Sequence, residues 1–375
     1  MIGIYCHHTS RFQRNTGIQR CLRATARGLL DAGEAIVPLL WSEEKNGLAL
    51  ASAEALTHLA SWHGPPADSW TMEPLAPGSW LVVVELVSGP HQPSQAWLQQ
   101  LARRYCWRLA AVFHDAIPLA WGGEAAACHG AYMEGLASYD LVFATSEYSH
   151  GQLQGFWRAQ GLVVYARLEI LPLAAELPGV PRRWPQQLED AGSRSTLRLL
   201  SVGSLEPRKN HRRLLQALAW LQAQGPGRFE LQLVGWANDP RVVQLVRRAQ
   251  GLGLPITWDA EADDHALRAY YQRCDLSVYP SLEEGFGLPV LESLWLGKPC
   301  LVGQAPALQE QAMPGGCLVV STTAWQELAL ALAELQRQPQ LLAQLQGQVR
   351  QRPLRSWGHY ARGMLNLMER IPCRW

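Results

Sequence analysis

The chain of 375 residues carries 33 Lys and Arg against 32 Asp and Glu, and its net charge at pH 7 is +1. A balance this close to neutral excludes the strongly basic class of nucleic-acid-binding proteins, so no nucleic-acid partner is expected. The length exceeds that of one ordinary hydrophobic core and predicts two domains of roughly 150–200 residues each.

The sequence lacks the marks of a membrane-spanning or secreted protein. It has no apolar run of about 18 residues, the length that indicates a membrane-spanning helix. The residues from Met1 to Cys6 lack the charged start and long apolar region of a signal peptide and predict a buried strand. The eight cysteines include no Cys-x-x-Cys pair, which favours structural thiols in a reducing compartment over a metal site. We therefore expect a cytoplasmic protein, for which peripheral contact with the cytoplasmic face of a membrane is left open.

The first half alternates short apolar segments with amphipathic ones, which is typical of a parallel sheet with helices on both faces. Strands are predicted at 2–6, 35–40, 80–85, 109–113, 141–144 and 168–171, and helices at 17–32, 94–104, 128–137 and 147–159. These elements predict a first Rossmann-like domain over residues 1–177.

The second half repeats this alternation after a segment, 178–195, that is rich in proline, glycine and charge and predicts a linker. Strands are predicted at 197–202, 229–234, 255–258, 275–279 and 299–302, and helices at 210–223, 240–252, 263–272, 289–296 and 323–335. We expect a second Rossmann-like domain over residues 196–355, so the predicted fold class is α/β.

The turn between the predicted strand at 275–279 and the helix at 289–296 is suited to hold a phosphate group. Gly285 and Gly287 allow positive φ and close approach of a ligand, and the helix that follows offers free N–H groups. Glu284 and Glu292 flank this turn. Because carboxylates repel phosphate but accept hydrogen bonds from hydroxyl groups, the combination predicts a nucleotide sugar as the ligand.

Two adjacent cations, Arg208 and Lys209, stand where a turn containing Gly203 and Ser204 enters the next predicted helix. Cations at the start of a helix oppose its dipole, so an anion is needed to explain them. We predict that both hold the diphosphate of the donor and stabilise it as a leaving group. The alternative is a solvated first turn of the helix.

These segments resemble the retaining glycosyltransferases of family 4. Glu284 and Glu292, with seven residues between them that include 285–289, are similar to the E-x7-E signature of that family, and 201–210 resembles its strand-to-helix phosphate segment. Residues 15–20 and 114–118 are similar to acceptor-side motifs of its mannosyltransferase-like branch. Many relatives have arginine where this chain has Ser204, so the phosphate site is expected to have one cation fewer.

The resemblance implies the GT-B architecture, in which two Rossmann-like domains face each other across a cleft. It assigns acceptor binding to the first domain and nucleotide-sugar binding to the second. It also implies that a last helix, within residues 356–375, crosses back to the first domain.

The resemblance assigns the hexose of the donor to Glu284 and the ribose hydroxyl groups to Glu292. Gly235 and Trp258 end predicted strands on the same edge and are expected to line the base pocket. The donor-binding residues predicted in full are Gly17, Gly203, Ser204, Arg208, Lys209, Gly235, Trp258, Glu284, Gly285, Phe286, Gly287, Leu288 and Glu292.

His114 follows the predicted strand at 109–113, at the edge of the sheet where open α/β folds bind ligands. By resemblance it hydrogen-bonds the donor sugar or a nearby acceptor oxygen. The alternative is a histidine whose hydrogen bonds are satisfied by the loop at Pro118. The predicted catalytic residues are His114, Arg208, Lys209 and Glu284.

Arg14, Arg20 and Asp115 are predicted to bind the acceptor. The arginines lie in a basic segment that suits an anionic acceptor, although a solvated helix face is the alternative. Asp115 has the alternative of capping its own turn. Gly17, at the start of the first helix, is predicted to let the diphosphate or the acceptor approach closely, with an ordinary helix start as the alternative.

The resemblance implies transfer with retention at the anomeric carbon, although no motif places a carboxylate as the nucleophile of a double displacement. No metal is expected, because no Asp-x-Asp stands beside the phosphate segment. No cofactor is expected apart from the nucleotide sugar, for which GDP-mannose is the first choice. The acceptor is a glycan, a lipid-linked glycan or a small glycoside. A non-catalytic nucleotide-sugar-binding protein and a nucleotide-sugar epimerase on the same fold are the alternatives.

Overall fold

The computed structural model describes residues 1–88, 91–182, 196–225 and 229–372. The chain divides into two compact units, Met1–Ala174 with Arg355–Trp375 and Ala175–Leu354, which we call the first and the second domain. Most of the predicted linker at 178–195 lies outside the described residues. The predicted cleft between the domains stays a prediction.

The first domain is built on a seven-stranded sheet. Its strands are β1 (Ile2–Tyr5), β2 (Ile36–Ser42), β3 (Gly47–Leu50), β4 (Trp80–Val83), β5 (Arg108–Phe113), β6 (Leu141–Ala144) and β7 (Arg167–Ile170). Their order is β3-β2-β1-β4-β5-β6-β7, and the pairs are parallel except β2 with β3. The order reverses at β1, so β1 and β4 form the switch point where such sheets open a crevice at their carboxyl edge.

The first domain contains α1 (Gly17–Asp31), α2 (Ala53–Ala60), α3 (Gln95–Arg104), α4 (Gly123–Leu136) and α5 (Glu147–Ala159). Serine side chains fix the starts of three of them. Ser52, Ser94 and Ser146 each accept a hydrogen bond from a backbone N–H in the first turn of α2, α3 and α5. Such caps satisfy N–H groups that have no partner inside the helix.

The second domain has a six-stranded sheet of β8 (Leu197–Val202), β9 (Phe229–Val234), β10 (Ile256–Asp259), β11 (Leu276–Tyr279), β12 (Cys300–Val302) and β13 (Cys317–Val319). All of its pairs are parallel, in the order β10-β9-β8-β11-β12-β13. Counted from β8, this is the 3-2-1-4-5-6 order of the Rossmann fold, with its switch point between β8 and β11.

The helices of the second domain are α6 (His211–Ala223), α7 (Pro240–Gly251), α8 (Asp264–Arg273), α9 (Leu288–Trp295), α10 (Pro306–Ala312), α11 (Trp325–Arg337) and α12 (Pro339–Gln351). One hydrophobic core joins β8 and β9 to α6, α7 and α11 through residues such as Leu199, Leu214, Leu231, Val246 and Leu332. Burial of each such side chain contributes about 1.5–3 kcal/mol, which holds the helices against the sheet.

The last helix, α13 (Trp357–Glu369), belongs to the first domain and packs against α1. Gly28 of α1 makes this close approach possible, since a Cβ at that position would lie 2.7 Å from the carbonyl oxygen of Trp357. A glycine in mid-helix weakens the isolated helix by about 1 kcal/mol, and the helix contact offsets that cost.

The predicted strands and helices are present, and their ends differ from the predicted bounds by at most five residues. The sequence analysis missed β3, α2, α10, β13 and α12. The hairpin of β2 and β3 turns at Asn46, whose φ is +41°, and Asn46-Gly47 is a signal that could have revealed it.

Candidate functional site

In the second domain, the turns after β8 and β9 pack against each other at the carboxyl edge of the sheet. Gly203 follows β8, and Gly235 follows β9 with a φ of +141°. A Cβ on Gly235 would lie 2.3 Å from the carbonyl oxygen of Gly203, so the turns require glycine there. The indole Nε1 of Trp258 in β10 donates to the carbonyl oxygen of Gly235 at 2.9 Å. Three predicted donor-binding residues are therefore neighbours.

Arg208, Lys209 and Glu284 lie together at the switch point, and with Glu206 we call them the charged cluster. Lys209 Nζ is 2.6 Å from Glu284 Oε1, and Arg208 Nη1 is 3.0 Å from Glu284 Oε2. Arg208 Nη2 is also 2.7 Å from Glu206 Oε1. The same oxygen of Glu206 accepts a hydrogen bond from Ser204 Oγ at 2.9 Å. Ion pairs and hydrogen bonds thus connect four predicted site residues with Glu206, which was not predicted from the sequence.

The backbone around Asn210 positions the two cations of the cluster. Residues Pro207–Lys209 form one turn of 3-10 helix, and Asn210 then takes a left-handed conformation with a φ of +57°. Its side-chain Nδ2 donates to the carbonyl oxygens of Pro280 and Thr322, at 3.1 and 2.9 Å. Asn210 therefore joins the turn after β8 to the turn after β11. Asparagine tolerates this conformation better than other non-glycine residues, a signal that the sequence analysis did not use.

Glu284 is 9% exposed. Burial by itself raises the pKa of this carboxyl group, but the positive charges of Lys209 and Arg208 outweigh burial and hold the pKa below its ordinary value. Glu284 is therefore ionised at neutral pH. Two cations and two carboxylates balance within the cluster, so an anion can bind Lys209 or Arg208 strongly only by taking the place of a carboxylate.

The turn after β11 leads directly into α9. Gly287 precedes the helix with a φ of +88°, and a Cβ there would lie 2.6 Å from Leu308 Cδ2. Phe286 is buried at 5% exposure, and Leu288 is the first residue of α9. Gly285 lies in the same turn, beside Glu284. The segment thus brings backbone N–H groups at the start of a helix next to the charged cluster, as a phosphate site requires.

Glu292 lies on α9 and is 1% exposed. Its negative charge is one cause, after burial and the nearby Tyr279, of a Tyr271 pKa well above the ordinary value. The Tyr271 hydroxyl lies 3.2 Å from that of Tyr279 and donates to the carbonyl oxygen of Pro289. The predicted contact of Glu292 with ribose stays a prediction.

In the first domain, His114 directly follows β5 and is half-buried. Its Nε2 donates to the carbonyl oxygen of Val84 at 2.8 Å, so this nitrogen carries the proton. Burial lowers the pKa of His114, although the bond to Val84 and the charge of Asp115 oppose the shift. The backbone oxygen of His114 accepts hydrogen bonds from Thr145 Oγ1 and Ser149 Oγ. The ring is thus neutral and held in a fixed orientation at the carboxyl edge of the sheet.

Asp115 makes a local cap. Its Oδ1 accepts a hydrogen bond from the backbone N–H of Ile117 at 3.0 Å, and its carbonyl oxygen accepts one from His129 Nε2. This geometry matches the alternative in which Asp115 caps its own turn. A contact with the acceptor stays a prediction.

The basic segment at the start of α1 divides into exposed and buried arginines. Arg14 is exposed, whereas Arg20 is 9% exposed and Arg23 is 1% exposed. Gly17 begins α1, and a Cβ there would meet no atom within 4 Å. Protein packing therefore does not require glycine at this position, and close approach of a ligand there stays a prediction.

Arg23 is buried and has a structural role that was not predicted from the sequence. Its guanidinium donates to the carbonyl oxygens of Phe12, Arg14 and His58, at 3.0, 2.8 and 3.1 Å, and to Asn15 Oδ1 at 3.1 Å. These bonds hold the loop between β1 and α1. Arg23 therefore orders the loop that carries Arg14 and does not belong to an exposed basic face.

Glu85 is a second buried charge that the sequence analysis missed. It follows β4, is 1% exposed, and accepts hydrogen bonds from the backbone N–H groups of His8 and Thr9 at 2.6 and 2.9 Å. Burial raises the pKa of Glu85 to about 7. The hydrogen bonds from His8 and Thr9 and the positive charge of Arg23 act in the opposite direction but do not outweigh burial. Glu85 ties the carboxyl ends of β1 and β4 together at the switch point.

Neither a metal site nor a membrane-spanning helix is found among the described residues. No group of three or more His, Cys, Asp or Glu in that part of the chain is placed to hold a metal ion. No helix within the described ranges is long and apolar enough to cross a membrane. The seven described cysteines are unpaired, and Cys373 lies outside the described residues.

A family model matches most of the second domain. Residues 189–352 match the family model of glycosyl transferases group 1. The chain is 34% identical over 128 residues to the serotype-specific mannosyltransferase WbdA of Escherichia coli, which covers 33% of this chain and 16% of that protein. It is 38% identical over 113 residues to the O-antigen chain mannosyltransferase B of Escherichia coli. That match covers 30% of this chain and 29% of the relative. The chain thus spans less than a third of these two relatives.

A third relative extends further along the chain. The GDP-mannose-dependent alpha-(1-6)-phosphatidylinositol dimannoside mannosyltransferase of Mycobacterium tuberculosis is 29% identical over 185 residues, covering 48% of this chain and 46% of that protein. These matches confirm the resemblance to family 4 glycosyltransferases of the mannosyltransferase-like branch.

Solved structures match the whole chain. Sucrose-phosphate synthase from Thermosynechococcus elongatus is 18% identical with a TM-score of 0.68, covering 98% of both chains. HepE of Anabaena, in complex with UDP and glucose, is 16% identical with a TM-score of 0.66, covering 98% of this chain and 99% of the other. The predicted α/β class with two Rossmann-like domains of the GT-B type is confirmed.

Proposed function

We propose, from the glycosyl transferases group 1 domain that this chain carries over residues 189–352, that the protein transfers a hexose from a nucleotide diphosphate sugar to a hydroxyl group. Mannose is the first choice for the sugar, and a glycan, a lipid-linked glycan or a small glycoside is the acceptor. The observation that carries the proposal is the position of the charged cluster beside the start of α9, at the switch point of a Rossmann-type sheet.

The balance of charge in the cluster supports a defined role for each residue. The diphosphate of the donor displaces Glu284 from Lys209 and Arg208, and both cations then neutralise the negative charge that grows on the leaving group. The displaced carboxylate accepts hydrogen bonds from hydroxyl groups of the hexose. Glu292, buried one to two turns along α9, binds the ribose hydroxyl groups.

Retention at the anomeric carbon is part of the proposal. The leaving diphosphate accepts the proton of the acceptor hydroxyl, and the protein contributes orientation and preorganised charge. His114, neutral and fixed by Val84 through Nε2, can accept one hydrogen bond through its second ring nitrogen, Nδ1. A cytoplasmic location and peripheral membrane contact also remain proposals.

A panel of nucleotide sugars tests the function. The purified chain is incubated with GDP-mannose, UDP-glucose and other donors, with and without a mannoside acceptor, and nucleoside diphosphate and lengthened glycan are measured. GDP-mannose is the expected donor because a relative is named GDP-mannose-dependent, whereas UDP-glucose represents the ligands named with HepE. Donor binding without product from any acceptor would instead support a non-catalytic nucleotide-sugar-binding protein.

Treatment with a chelator tests the metal-independent form of the proposal. Because Lys209 and Arg208 supply the positive charge that a metal would otherwise supply, activity is expected to persist in EDTA. Complete loss of activity in EDTA, restored by magnesium or manganese, would contradict this part of the mechanism while leaving sugar transfer intact.

A further inference from the structure

The second domain contains a groove that the proposed transfer does not use. It has a volume of about 510 Å³ and lies at the amino-terminal ends of α6 and α7, beside the segment that leads into α11. We call it the α6–α7 groove. It is lined by Glu206, Pro207, Asn210, His211, Arg212, Arg213, Arg241, Val242, Leu245, Leu282, Thr322 and Thr323. The first turn of α6 has no side-chain cap, so its N–H groups and positive dipole end favour an anion here, whereas Asp239 already caps the start of α7.

Arginine side chains add positive charge to this groove. Arg212 is exposed, and no partner for its side chain is found within the described ranges. Arg213 donates to Gln216 Oε1 at 3.0 Å, and Arg241 pairs with Asp239 at 2.7 Å. Arg212 and Arg213 lie in the first turn of α6, where a cation opposes the helix dipole. An anion bound between them and the helix end would turn this unfavourable placement into a favourable one.

A buried ring nitrogen points independently to a ligand. His211, the first residue of α6, lines the groove and is 2% exposed, yet its Nδ1 has no hydrogen-bond partner among the described residues. Leaving such a group unsatisfied costs about 1–3 kcal/mol. Burial, and then the charge of Lys209, lower the pKa of His211 to about 4, so the ring is neutral at pH 7. A neutral imidazole can donate one N–H to a bound oxygen.

Apolar side chains form another wall of the groove. Leu245 and Leu282 are 36% and 52% exposed, and Val242, in the first turn of α7, is a third apolar residue of the lining. Exposed leucines beside cationic groups suit a ligand that joins a charged group to a carbon portion.

We propose that the α6–α7 groove binds an organic phosphate whose carbon portion is apolar. The phosphate contacts Arg212, Arg213 and His211 and the N–H groups at the start of α6, while the carbon portion lies on Leu245 and Leu282. The proposal concerns a second ligand besides the donor and does not depend on sugar transfer.

Glu206 is the carboxylate in the lining, and its charge is already engaged. Its Oε1 lies 2.7 Å from Arg208 Nη2 and accepts from Ser204 Oγ at 2.9 Å, and its Oε2 accepts from Asn238 Nδ2 at 3.0 Å. These contacts offset its repulsion of an anion. They also connect the groove to Arg208 of the charged cluster.

Calorimetric titration of the full chain without nucleotide tests the proposal. The probes are hexyl phosphate, glucose 6-phosphate and inorganic phosphate. Hexyl phosphate is expected to bind at least about tenfold more tightly than inorganic phosphate, because binding removes its apolar chain from water. Leu245→Gln should remove this preference and leave the binding of inorganic phosphate unchanged.

A matched pair of variants separates a site from general charge. Arg212→Gln combined with Arg213→Gln should weaken hexyl phosphate binding at least about tenfold, the scale of charge-assisted hydrogen bonds to phosphate. Arg247→Gln combined with Arg248→Gln changes the net charge equally at exposed positions of α7 outside the groove lining. This control pair should leave the affinity unchanged. Equal weakening by both pairs, or no binding of any probe at millimolar concentration, would overturn the proposal.

Nitrogen NMR of the His211 ring gives a readout that does not depend on the arginine variants. Its ring signals should shift on addition of hexyl phosphate and not on addition of sodium chloride, and an absence of shift at saturation would contradict the assigned contact. Co-sedimentation with phosphatidic acid vesicles, against phosphatidylcholine vesicles, distinguishes a lipid headgroup from a free organic phosphate. Either source supports the groove as the site if Arg212→Gln with Arg213→Gln removes the binding.

Discussion

In the first domain, near the carboxyl ends of β1 and β4, Glu85 and Arg23 form hydrogen bonds largely with backbone groups. In the second domain, near the ends of β8 and β11, Glu284 and Lys209 instead form an ion pair with each other. Both places are switch points of parallel sheets, and both bury carboxylates. In the first domain the partners are peptide N–H and C=O groups, which belong to the fold and cannot leave. In the second domain the partners are side chains.

The difference separates charges that maintain structure from charges that can bind a ligand. An Arg23 that satisfies several carbonyl oxygens has no capacity for an acceptor phosphate, although its place in the sequence suggested a basic face. A Lys209 that is paired with a side-chain carboxylate can exchange that carboxylate for a diphosphate. Substitutions should therefore affect stability in the first case and turnover in the second.

Arg23→Met should lower the free energy of unfolding by about 3–5 kcal/mol, because it leaves several buried carbonyl oxygens without donors. Arg27, one turn later on α1, pairs with Asp31 on the surface, and Arg27→Met should cost less than about 1 kcal/mol. Urea denaturation monitored by circular dichroism compares the two. Equal stability of both variants would show that the bonds of Arg23 do not order the loop.

Lys209→Met should lower turnover at least about a hundredfold, since one preorganised donor to a developing negative charge is worth about 3 kcal/mol. Circular dichroism should show that the variant folds, and Lys45→Met, which changes an exposed lysine of the first domain, should retain full turnover. The measurement is the rate of nucleoside diphosphate release. Near-normal turnover of folded Lys209→Met would remove Lys209 from the donor site.

Glu85 should make stability depend on pH between about 4.5 and 7. Its pKa is raised in the folded state to about 7, so the folded state binds the proton more tightly than the unfolded chain does. The resulting stabilisation is present at low pH and is lost as the pH rises toward 7. Relative to Glu85→Gln, which does not titrate, the free energy of unfolding should fall by about 2 kcal/mol from pH 5 to pH 8.

Parallel denaturation of the parent chain and Glu85→Gln at several pH values isolates this effect from other groups, including Tyr5 and Cys6, which lie close enough for their charges to interact with Glu85. A difference that is constant with pH, or that grows with rising pH, would show that Glu85 is ionised throughout and that its bonds from His8 and Thr9 outweigh burial.

Gly235→Ala and Gly17→Ala compare two positions at which glycine is expected for different reasons, a close backbone contact at Gly235 and a predicted ligand at Gly17. Alanine at Gly235 must displace the Gly203 turn, because its Cβ would lie 2.3 Å from the Gly203 carbonyl oxygen. We expect donor affinity, measured by calorimetry with GDP, to fall about tenfold, since a shift of this turn weakens contacts worth about 1.4 kcal/mol.

Alanine at Gly17 meets no atom of the protein within 4 Å and should change stability by less than about 0.5 kcal/mol. If a ligand approaches Gly17 closely, transfer should nevertheless slow in the Gly17→Ala variant. Unchanged transfer would show that Gly17 is an ordinary helix start.

Much of the fold could be predicted because parallel α/β domains alternate short apolar strands with amphipathic helices, and this alternation is visible in the local sequence. β8, β9 and β11 are apolar segments of four to six residues between amphipathic helices, and the structure places all three where the pattern indicates. β3 and β13 lie at the edges of their sheets and have four and three residues. Their pairing depends on a neighbouring strand more than on their own residues, so periodicity did not reveal them.

The residues of the candidate site likewise divide into those that a local sequence signal predicts and those that only the folded structure reveals. Glycines that need positive φ and cations that oppose a helix dipole are visible in a sequence, because the constraint acts within a few residues. Glu206 gave no such signal, since its contacts to Ser204 and Arg208 appear only when the turn has folded. Asn210 likewise connects residues 70 and 112 positions away along the chain.

The sequence by itself determined the α/β class, the Rossmann-like second domain, and the residue types at the turn before α9, because backbone conformation and hydrophobic periodicity are local properties. Only the tertiary structure decided which charges are structural and which face one another. Arg23 and Arg14 look alike in the sequence, yet one is 1% exposed and the other lies on the surface. Burial and long-range pairing set the free energy of a charge, and both depend on where distant segments come to lie.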